Sequence, residues 1–278
     1  MTEVLLEGLS FGEGPRWHEG RLWFSDFYRH GVFTMTPDGT EERILEVPTQ
    51  PSGLGWMPDG SLLLVSMLDR KLLRCTTDGN AVTEHADLSS VAAWHCNDMV
   101  VAADGTAYVG NFGSDRQKDG PKPATLAIVS PDGEVRAGPG GLEFPNGTVI
   151  TPDGSTLIIG ESMGGRLSAF DIGDDGSLSN RRVWADLGGG VPDGICLDAE
   201  MGIWVADPRN ANCFRVVEGG QITDRIDLDL NCFACMLGGD DRRTLYMITA
   251  PTSGDEAART RNGRIESVRV EIPGAGLP

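Results

Sequence analysis

A short pattern that repeats six times along the chain limits its fold more than any other feature. Each copy is a turn that ends in glycine or a close variant, followed by four to six strand-forming residues. The copies are HEGRLWFSD from residue 18, MPDGSLLLVS from 57, AADGTAYVG from 102, TPDGSTLIIGES from 151, DAEMGIWVAD from 198 and GDDRRTLYMIT from 239. Equivalent positions in successive copies are 40 to 50 residues apart. A period of this length, built from short strands, indicates a β-propeller with one four-stranded blade per repeat.

The six repeats predict one domain, residues 1–278, folded as an all-β six-bladed propeller. Each repeat continues with a second strand pair, as in RKLLRCTTDG and GRLSAFDIGDDGSL. The last repeat is followed by GRIESVRVEI, and TEVLLEG stands at the other end of the chain. A ring leaves no unpaired strand edge when a strand from one terminus completes the blade made by the other. We therefore expect residues 2–7 to complete the last blade.

The charge of the chain excludes several kinds of partner. Its 278 residues carry a formal net charge of −18, which repels nucleic acids and anionic membrane surfaces. No segment approaches the roughly 18 consecutive apolar residues of a membrane span. We therefore expect neither a nucleic-acid nor a membrane partner, and a monomer or a dimer that acts on a small molecule.

The cysteines and the N-terminus indicate the compartment. The N-terminal segment has neither the basic region nor the apolar run of a signal peptide. Several of the six cysteines lie within apolar runs, where a free cysteine behaves as a small buried hydrophobe. The close pair Cys232 and Cys235 has no second pair or histidine at the spacing of a zinc site. We expect a reduced, cytoplasmic protein.

Each marker strand is preceded by a strand-like stretch that is predicted to be the innermost strand of its blade. Nine to twelve residues before the markers stand six equivalent residues, which we call the axial residues. They are Glu13, Ser52, Asn97, Asn146, Asp193 and either Phe233 or Ala234. In a propeller, equivalent positions on the innermost strands face one another across the central channel. Four blades therefore deliver two carboxylates and two amides to one place, which predicts a cation site.

The types of the axial residues determine which metal they suit. Carboxylate and amide oxygens are hard donors, so the predicted order is Ca²⁺ first, with Mg²⁺, Mn²⁺ or Zn²⁺ as alternatives. Three or four protein oxygens are fewer than the six to eight that Ca²⁺ takes, so water or substrate completes the coordination. An incomplete protein coordination shell is typical of a catalytic metal, although a metal that only fixes the blades is a second interpretation.

Residues near the axial set are candidates for binding substrate. His95 precedes Asn97 by two residues, so strand alternation directs both to the same end of the channel, which we call the mouth. His95 is expected to orient substrate or move a proton, or else to pack against Trp94. Asp115 lies in a glycine-flanked loop that is predicted to reach over the site. Asn97 is either a metal ligand or a substrate-binding residue.

The motifs GEGPRW, ND at 97–98, FPNG, PDGICLD and GGDDRRTLYMIT together resemble the SMP-30/gluconolactonase/LRE (regucalcin-like) family, across essentially the whole chain. The resemblance implies a six-bladed propeller with one divalent cation on its axis. It implies that Glu13, Asn146 and Asp193 are metal ligands and that Asp193 is the candidate general base. It also implies that Asn97 is a substrate-binding residue or an auxiliary ligand.

One position departs from the family pattern. Sugar-lactonase members carry an arginine that contacts the hydroxylated substrate where this chain has His95, and an imidazole cannot form the bidentate contacts of a guanidinium. Trp17, Trp94 and Phe112 are expected to make the mouth more apolar than a sugar site. We therefore expect a preference for lactones that have fewer hydroxyl groups than gluconolactone.

The sequence thus predicts a metal-dependent lactonase, in which Asp193 activates water and His95 protonates the leaving alkoxide. Two alternatives remain open at this point. One is a phosphotriesterase or fluorophosphatase that uses the same oxygen-rich axis, and the other is a calcium-binding propeller without catalysis.

Overall fold

In the computed structural model, which describes residues 2–276, the chain forms six four-stranded antiparallel sheets. The first strand, β1 (Glu3–Leu9), belongs to the last sheet, together with the last three strands, and each of the other five sheets is formed by four consecutive strands. The six-bladed, all-β propeller predicted from the repeats is therefore confirmed.

The first three blades have the following strands, given from the innermost outward. Blade 1 contains β2 (Gly12–His18), β3 (Arg21–Asp26), β4 (Gly31–Met35) and β5 (Glu41–Glu46). Blade 2 contains β6 (Pro51–Trp56), β7 (Leu62–Ser66), β8 (Lys71–Cys75) and β9 (Val82–Asp87). Blade 3 contains β10 (Cys96–Val101), β11 (Ala107–Asn111), β12 (Ala127–Val129) and β13 (Val135–Ala137).

The other three blades follow the same plan. Blade 4 contains β14 (Pro145–Ile150), β15 (Thr156–Glu161), β16 (Arg166–Ile172) and β17 (Leu178–Asp186). Blade 5 contains β18 (Ile195–Leu197), β19 (Ile203–Asp207), β20 (Asn212–Val216) and β21 (Ile222–Asp227). Blade 6 contains β22 (Asn231–Gly238), β23 (Thr244–Ala250), β24 (Gly263–Arg269) and, outermost, β1.

The ring is closed by the N-terminal strand, as the sequence predicts. β1 pairs antiparallel with β24, from Glu3 opposite Ser267 to Leu9 opposite Gly263. The innermost strands contact one another in the cyclic order β2, β6, β10, β14, β18, β22 and back to β2. Because β1 and β2 are consecutive in the chain but lie in blades 6 and 1, they fasten the last blade to the first.

Apolar side chains from neighbouring blades form the core. Separate clusters of buried residues lie between blades 1 and 2, 2 and 3, 3 and 4, and 4 and 5, and the largest joins blades 5, 6 and 1. All six cysteines are free thiols and are buried. The apolar residues of the marker strands, which are buried almost throughout, therefore serve the packing of one blade on the next.

Aspartate–glycine turns join many of the strands. In the turn before β15, the Asp153 carboxylate accepts hydrogen bonds from the Thr151 hydroxyl at 2.6 Å and the Ser155 N–H at 3.1 Å. Gly154 has a φ of 73°, a conformation that glycine adopts without the strain other residues would incur.

Two short helices interrupt the strands, α1 (Arg116–Asp119) and α2 (Asp255–Thr260). Among residues 2–276, neither helix has the length and apolar character needed to cross a membrane.

Candidate active site at the propeller axis

The predicted axial residues coincide with breaks in the regular pairing of the innermost strands. In five blades the register shifts across the axial position, namely between Glu13 and Arg16, Pro51 and Leu54, Cys96 and Met99, Pro145 and Thr148, and Cys232 and Ala234. In blade 5, regular pairing of β18 begins at Ile195, two residues after Asp193. Bulges of this kind redirect a side chain out of the sheet plane, and here they recur at the same height around the ring.

Glycines beside the axial residues let adjacent innermost strands approach closely. A Cβ added to Gly147 would lie 2.4 Å from the Ile195 nitrogen and 2.6 Å from the Asp193 carbonyl oxygen. The Gly147 N–H donates to that carbonyl at 3.1 Å, and the Gly194 N–H donates to the Phe233 carbonyl at 2.8 Å. Direct backbone contacts between blades 4, 5 and 6 thus hold their axial residues together, which explains the glycine in PNG and PDG.

Asn146 and Asp193 contact each other across blades 4 and 5. The Asn146 side-chain amide donates a hydrogen bond to the Asp193 carboxylate and lies 3.3 Å from the Ser162 hydroxyl. Ser162 in turn donates to the Pro192 carbonyl at 2.6 Å. Both axial side chains are therefore held in place by neighbours that are themselves hydrogen-bonded.

Glu13, which is buried, and Asp193, which is half-buried, form an acidic pair. Burial, then the charges of Asp193 and Asp98, raise the pKa of Glu13 well above its usual value. Burial also raises the pKa of Asp193 to about 8, although the hydrogen bond from Asn146 opposes this shift. Neighbouring carboxyl groups that cannot easily ionise together have raised pKa values, and such pairs are characteristic of functional sites.

An ion pair between Arg16 and Asp98 lies beside this acidic pair. Arg16 Nη2 is 2.8 Å from Asp98 Oδ1, and the guanidinium also donates to the carbonyls of Met99 at 2.7 Å and Pro15 at 2.8 Å. Burial raises the pKa of Asp98, and the Arg16 charge opposes that rise. Arg16 also lowers the pKa of Glu13, so it offsets part of the negative charge on the axis.

Asn97 is buried in blade 3 and reaches toward blade 4. Its side-chain amide donates to the Pro145 carbonyl at 3.2 Å, next to Asn146. The side-chain nitrogen of Asn97 therefore points to blade 4, where it is held by this hydrogen bond.

His95 lies among aromatic rings. Its ring stacks on Trp94 with centroids 4.6 Å apart, and the Phe112 ring is 6.0 Å away. Burial lowers the pKa of His95, and the charge of Asp115 only partly offsets this effect. The imidazole is therefore neutral at pH 7, where it can donate one hydrogen bond and accept another.

Asp115 has a local structural role. It is the N-cap of α1, where its carboxylate accepts hydrogen bonds from the N–H groups of Gln117 and Lys118, each at 3.2 Å. Its charge acts on His95, so it lies close to the mouth, but its side chain is engaged in capping.

The position of Trp17 does not support the prediction that it binds substrate. The side chain is 7% exposed and stacks on Tyr246 in the core that joins blades 5, 6 and 1, with ring centroids 5.5 Å apart. Trp17 is four residues beyond Glu13, about 13 Å along an extended strand, and so packs between the blades away from the axial residues.

The described residues contain no cluster of three His, Cys, Asp or Glu side chains arranged to hold a metal ion. The axial set offers two carboxylates, and its other side-chain oxygen donors are the amides of Asn146 and Asn97 and the hydroxyl of Ser52.

Comparison with known proteins identifies the family. Residues 11–251 match the SMP-30/Gluconolactonase/LRE-like region, which is most of the chain. The chain belongs to the SMP-30/gluconolactonase/LRE-like family.

Several members of the SMP-30/gluconolactonase/LRE-like family are similar over almost the whole chain. The 6-deoxy-6-sulfogluconolactonase of Pseudomonas putida is 24% identical, and the match covers 96% of this chain and 94% of that protein. Regucalcin of Xenopus laevis is 25% identical, with 99% and 94% covered. The crystal structure of the calcium-binding protein regucalcin from Agrobacterium tumefaciens shares the fold, with a TM-score of 0.83, 21% identity and coverage of 100% and 96%.

Two residues of the site, Arg16 and Asp98, were not predicted from the sequence. A signal was present, because each is a charged residue on an innermost strand that is almost wholly buried, in GPRWH and CNDMVV. A charge at such a place is stable only with a partner, so two of them on blades that face the same channel indicate a pair.

Proposed function

We propose that this protein is a divalent-cation-dependent lactonase. The observation that carries the proposal is the convergence of Glu13, Asn146 and Asp193 from three blades, with an Asn146–Asp193 hydrogen bond and an acidic pair whose pKa values are raised. The names of two relatives support it, since one is a sulfogluconolactonase and the crystal structure of another describes a calcium-binding protein.

The donor set fits a hard divalent cation. We assign Glu13, Asn146 and Asp193 as its ligands, with Asn97 as an auxiliary ligand or a contact to substrate. Carboxylate and amide oxygens are the donors that Ca²⁺ prefers, and a positive charge would offset the repulsion between Glu13, Asp193 and Asp98. Arg16 is already engaged by Asp98 and by two carbonyl groups, so it leaves most of this repulsion in place.

A cation held there supplies a Lewis acid for the ester carbonyl and favours the ionised forms of the neighbouring carboxyl groups. Asp193 takes a proton from a water molecule while the oxygen of that water attacks the carbonyl carbon. Asn146 keeps the Asp193 carboxylate oriented. The ring C–O bond then breaks, and the leaving oxygen takes up the proton that Asp193 accepted from the water. We assign His95 to relay this proton from Asp193 to the leaving oxygen. Because His95 is neutral, it can accept a proton on one nitrogen while it donates from the other.

Hydrolysis of a panel of substrates tests the proposal. Gluconolactone, alkyl-substituted lactones, aryl esters and phosphotriesters are each offered to the protein with Ca²⁺, Mg²⁺, Mn²⁺ or Zn²⁺ and again after removal of metal by a chelator. Lactone opening that requires metal supports the proposal. Metal-dependent hydrolysis of phosphotriesters alone would point to the phosphotriesterase alternative, and metal binding with no hydrolysis of any substrate would point to the non-catalytic one.

A further inference from the structure

The sixth axial position differs from the other five because it holds an aromatic side chain. Phe233 lies in the bulge of β22, and its carbonyl accepts the Gly194 N–H at 2.8 Å, immediately after Asp193. The other axial residues are Glu, Ser, Asn, Asn and Asp. The sixth axial position therefore carries a benzyl group instead of a hydrogen-bonding side chain.

Phe233 is part of an aromatic cluster formed by Phe11, Phe27, Tyr28 and Phe233. The Phe11 ring meets Phe233 edge-on at a centroid distance of 4.7 Å, and it lies 5.3 Å from Phe27 and 6.3 Å from Tyr28. Phe233 is 9% exposed, whereas Tyr28 is half-buried. Phe233 therefore packs on Phe11, which is in turn held by Phe27 and Tyr28.

A second set of rings lies on the blades 3 and 4 side of the axis. Phe112 and Phe144 are 4.8 Å apart, and Phe112 continues to His95 and Trp94. Phe112 also packs against the same buried cluster that contains Phe11 and Phe233. Phe233 and Phe112, from blades 6 and 3, thus belong to one connected apolar cluster.

We propose that Phe233 is a specificity-determining residue and that the site takes lactones with an alkyl or aryl substituent on the ring. The inference rests on the proposed function, because it assumes that the ester group is opened at Glu13, Asn146 and Asp193. Phe233 alone among the axial residues belongs to the aromatic cluster, so a substrate whose ester lies at the axial carboxylates brings its remaining ring atoms against it. A hydroxyl group placed there would lose water without gaining a partner, whereas an alkyl group gains by leaving water.

The kinetic test compares gluconolactone with a series of δ-lactones that carry alkyl chains of increasing length or a phenyl group. In the wild type, kcat/KM should rise up to about four-fold for each added methylene that becomes buried. It should exceed the value for gluconolactone by at least about ten-fold. Phe233→Asn makes this position resemble Asn97 and Asn146. It should reduce the ratio of kcat/KM for the substituted lactones to kcat/KM for gluconolactone by about ten-fold or more.

Two further variants keep the test decisive. Phe233→Leu retains an apolar side chain, so it should keep a preference for the alkyl series even if Phe233→Asn does not fold. Phe24→Leu makes the same change at a buried ring of blade 1 outside the aromatic cluster, and should leave the ratio unchanged. A ratio that is the same in the wild type and Phe233→Asn would overturn the inference.

Binding of lactams separates this inference from the proposed function, because a lactam resembles a lactone but resists hydrolysis. Calorimetry with and without Ca²⁺ should show that a phenyl-substituted δ-lactam binds at least about ten-fold more tightly than the unsubstituted one, and that Phe233→Asn removes the difference. This result without hydrolysis of any lactone would support Phe233 as the contact that selects the substituent and would refute the lactonase proposal. Equal binding of the two lactams by a protein that does open lactones would overturn the inference alone.

Discussion

Arg16 of blade 1 and Asp98 of blade 3 form an ion pair across the propeller axis, with Nη2 and Oδ1 2.8 Å apart and both side chains almost wholly buried. The pair joins two blades that are not neighbours. Arg16 is three residues beyond Glu13 in β2, and the charges of both Arg16 and Asp98 act on Glu13. Of the three charged residues that shift the pKa of Glu13, namely Asp193, Asp98 and Arg16, only Arg16 is positive. The site is consequently less negative than its three carboxyl groups alone would make it.

Replacing Arg16 by methionine should make the protein less stable and more responsive to metal. Loss of one partner of a buried pair costs roughly 3–5 kcal/mol of unfolding free energy. The acidic residues then lack their compensating charge, so added Ca²⁺ should raise the melting temperature more in Arg16→Met than in the wild type. Thermal unfolding after removal of metal, repeated with Ca²⁺, measures both effects.

Arg215→Met is the matched control for this experiment. Arg215 and Asp198 form a comparably buried pair in blade 5, with Nε and Oδ2 2.5 Å apart, outside the axial set. This variant should lose stability while its response to Ca²⁺ stays as in the wild type. An equal Ca²⁺ response in the two variants would mean that Arg16 does not influence the proposed metal site.

Deletion of residues 2–7 should destabilise the ring by several kcal/mol. It exposes the edge of β24 and removes the half-buried Leu5 and Leu6 from the core that joins blades 5, 6 and 1. Urea unfolding measures the loss. Val4→Thr, at an exposed position of the same strand, should change the unfolding free energy by less than about 0.5 kcal/mol. An unchanged stability in the deletion would show that β1 contributes little to closure.

Glu161 should make the stability of blade 4 depend on pH. Burial opposes its ionisation, but hydrogen bonds from Arg166, Ser168 and Arg181 outweigh burial and hold its pKa below the usual 4.5. A lowered folded-state pKa stabilises the protein fully above about pH 4.5, and this stabilisation is lost as the pH falls through the folded-state value.

Glu161→Gln should therefore cost about 2–3 kcal/mol at neutral pH, and its stability should approach that of the wild type as the pH falls from 4.5 through the folded-state pKa of Glu161. Urea unfolding of both proteins across this range tests the expectation. A difference that does not vary with pH would show that the charge of Glu161 contributes nothing.

His95→Arg should shift substrate preference toward gluconolactone. Each hydroxyl left unpaired after leaving water costs about 1–3 kcal/mol, and a guanidinium can satisfy several where an imidazole satisfies at most two. The ratio of kcat/KM for gluconolactone to that for an alkyl lactone should rise about ten-fold. His95→Ala should lower both values, while His85→Arg, in β9 far from the mouth, should alter neither. A wild-type enzyme that strongly prefers aldonolactones would refute the role assigned to His95.

The fold was predictable because the repeats encode it directly. Each blade has its own glycine turn and marker strand, so the period gives the number of blades, and the strand left over at residues 3–9 has one free edge to pair with. The axial residues followed from register, since equivalent positions in a ring must face the same channel. Their coincidence with bulges could not be foreseen, because a bulge depends on pairing with a particular partner strand.

Side-chain environments were harder to predict than backbone positions. Trp17 and Glu13 belong to one strand, but the strand is long enough to carry Trp17 into the packing between blades 1 and 6. Asp115 has the sequence context of a flexible loop, and only the structure reveals that it caps α1. Arg16 and Asp98 are 82 residues apart, and their pairing depends on how the ring brings blades 1 and 3 together.

The central claim is that one divalent cation, held by Glu13, Asn146 and Asp193, is required for lactone opening. The most direct measurement titrates Ca²⁺ into chelator-treated protein and follows, in the same sample, the calcium bound per chain and the rate of lactone hydrolysis. We predict that activity returns in proportion to binding, with saturation at one equivalent. We also predict that Glu13→Gln and Asn146→Ala reduce turnover by orders of magnitude without loss of the folded circular-dichroism spectrum. Full activity in metal-free protein would contradict the claim.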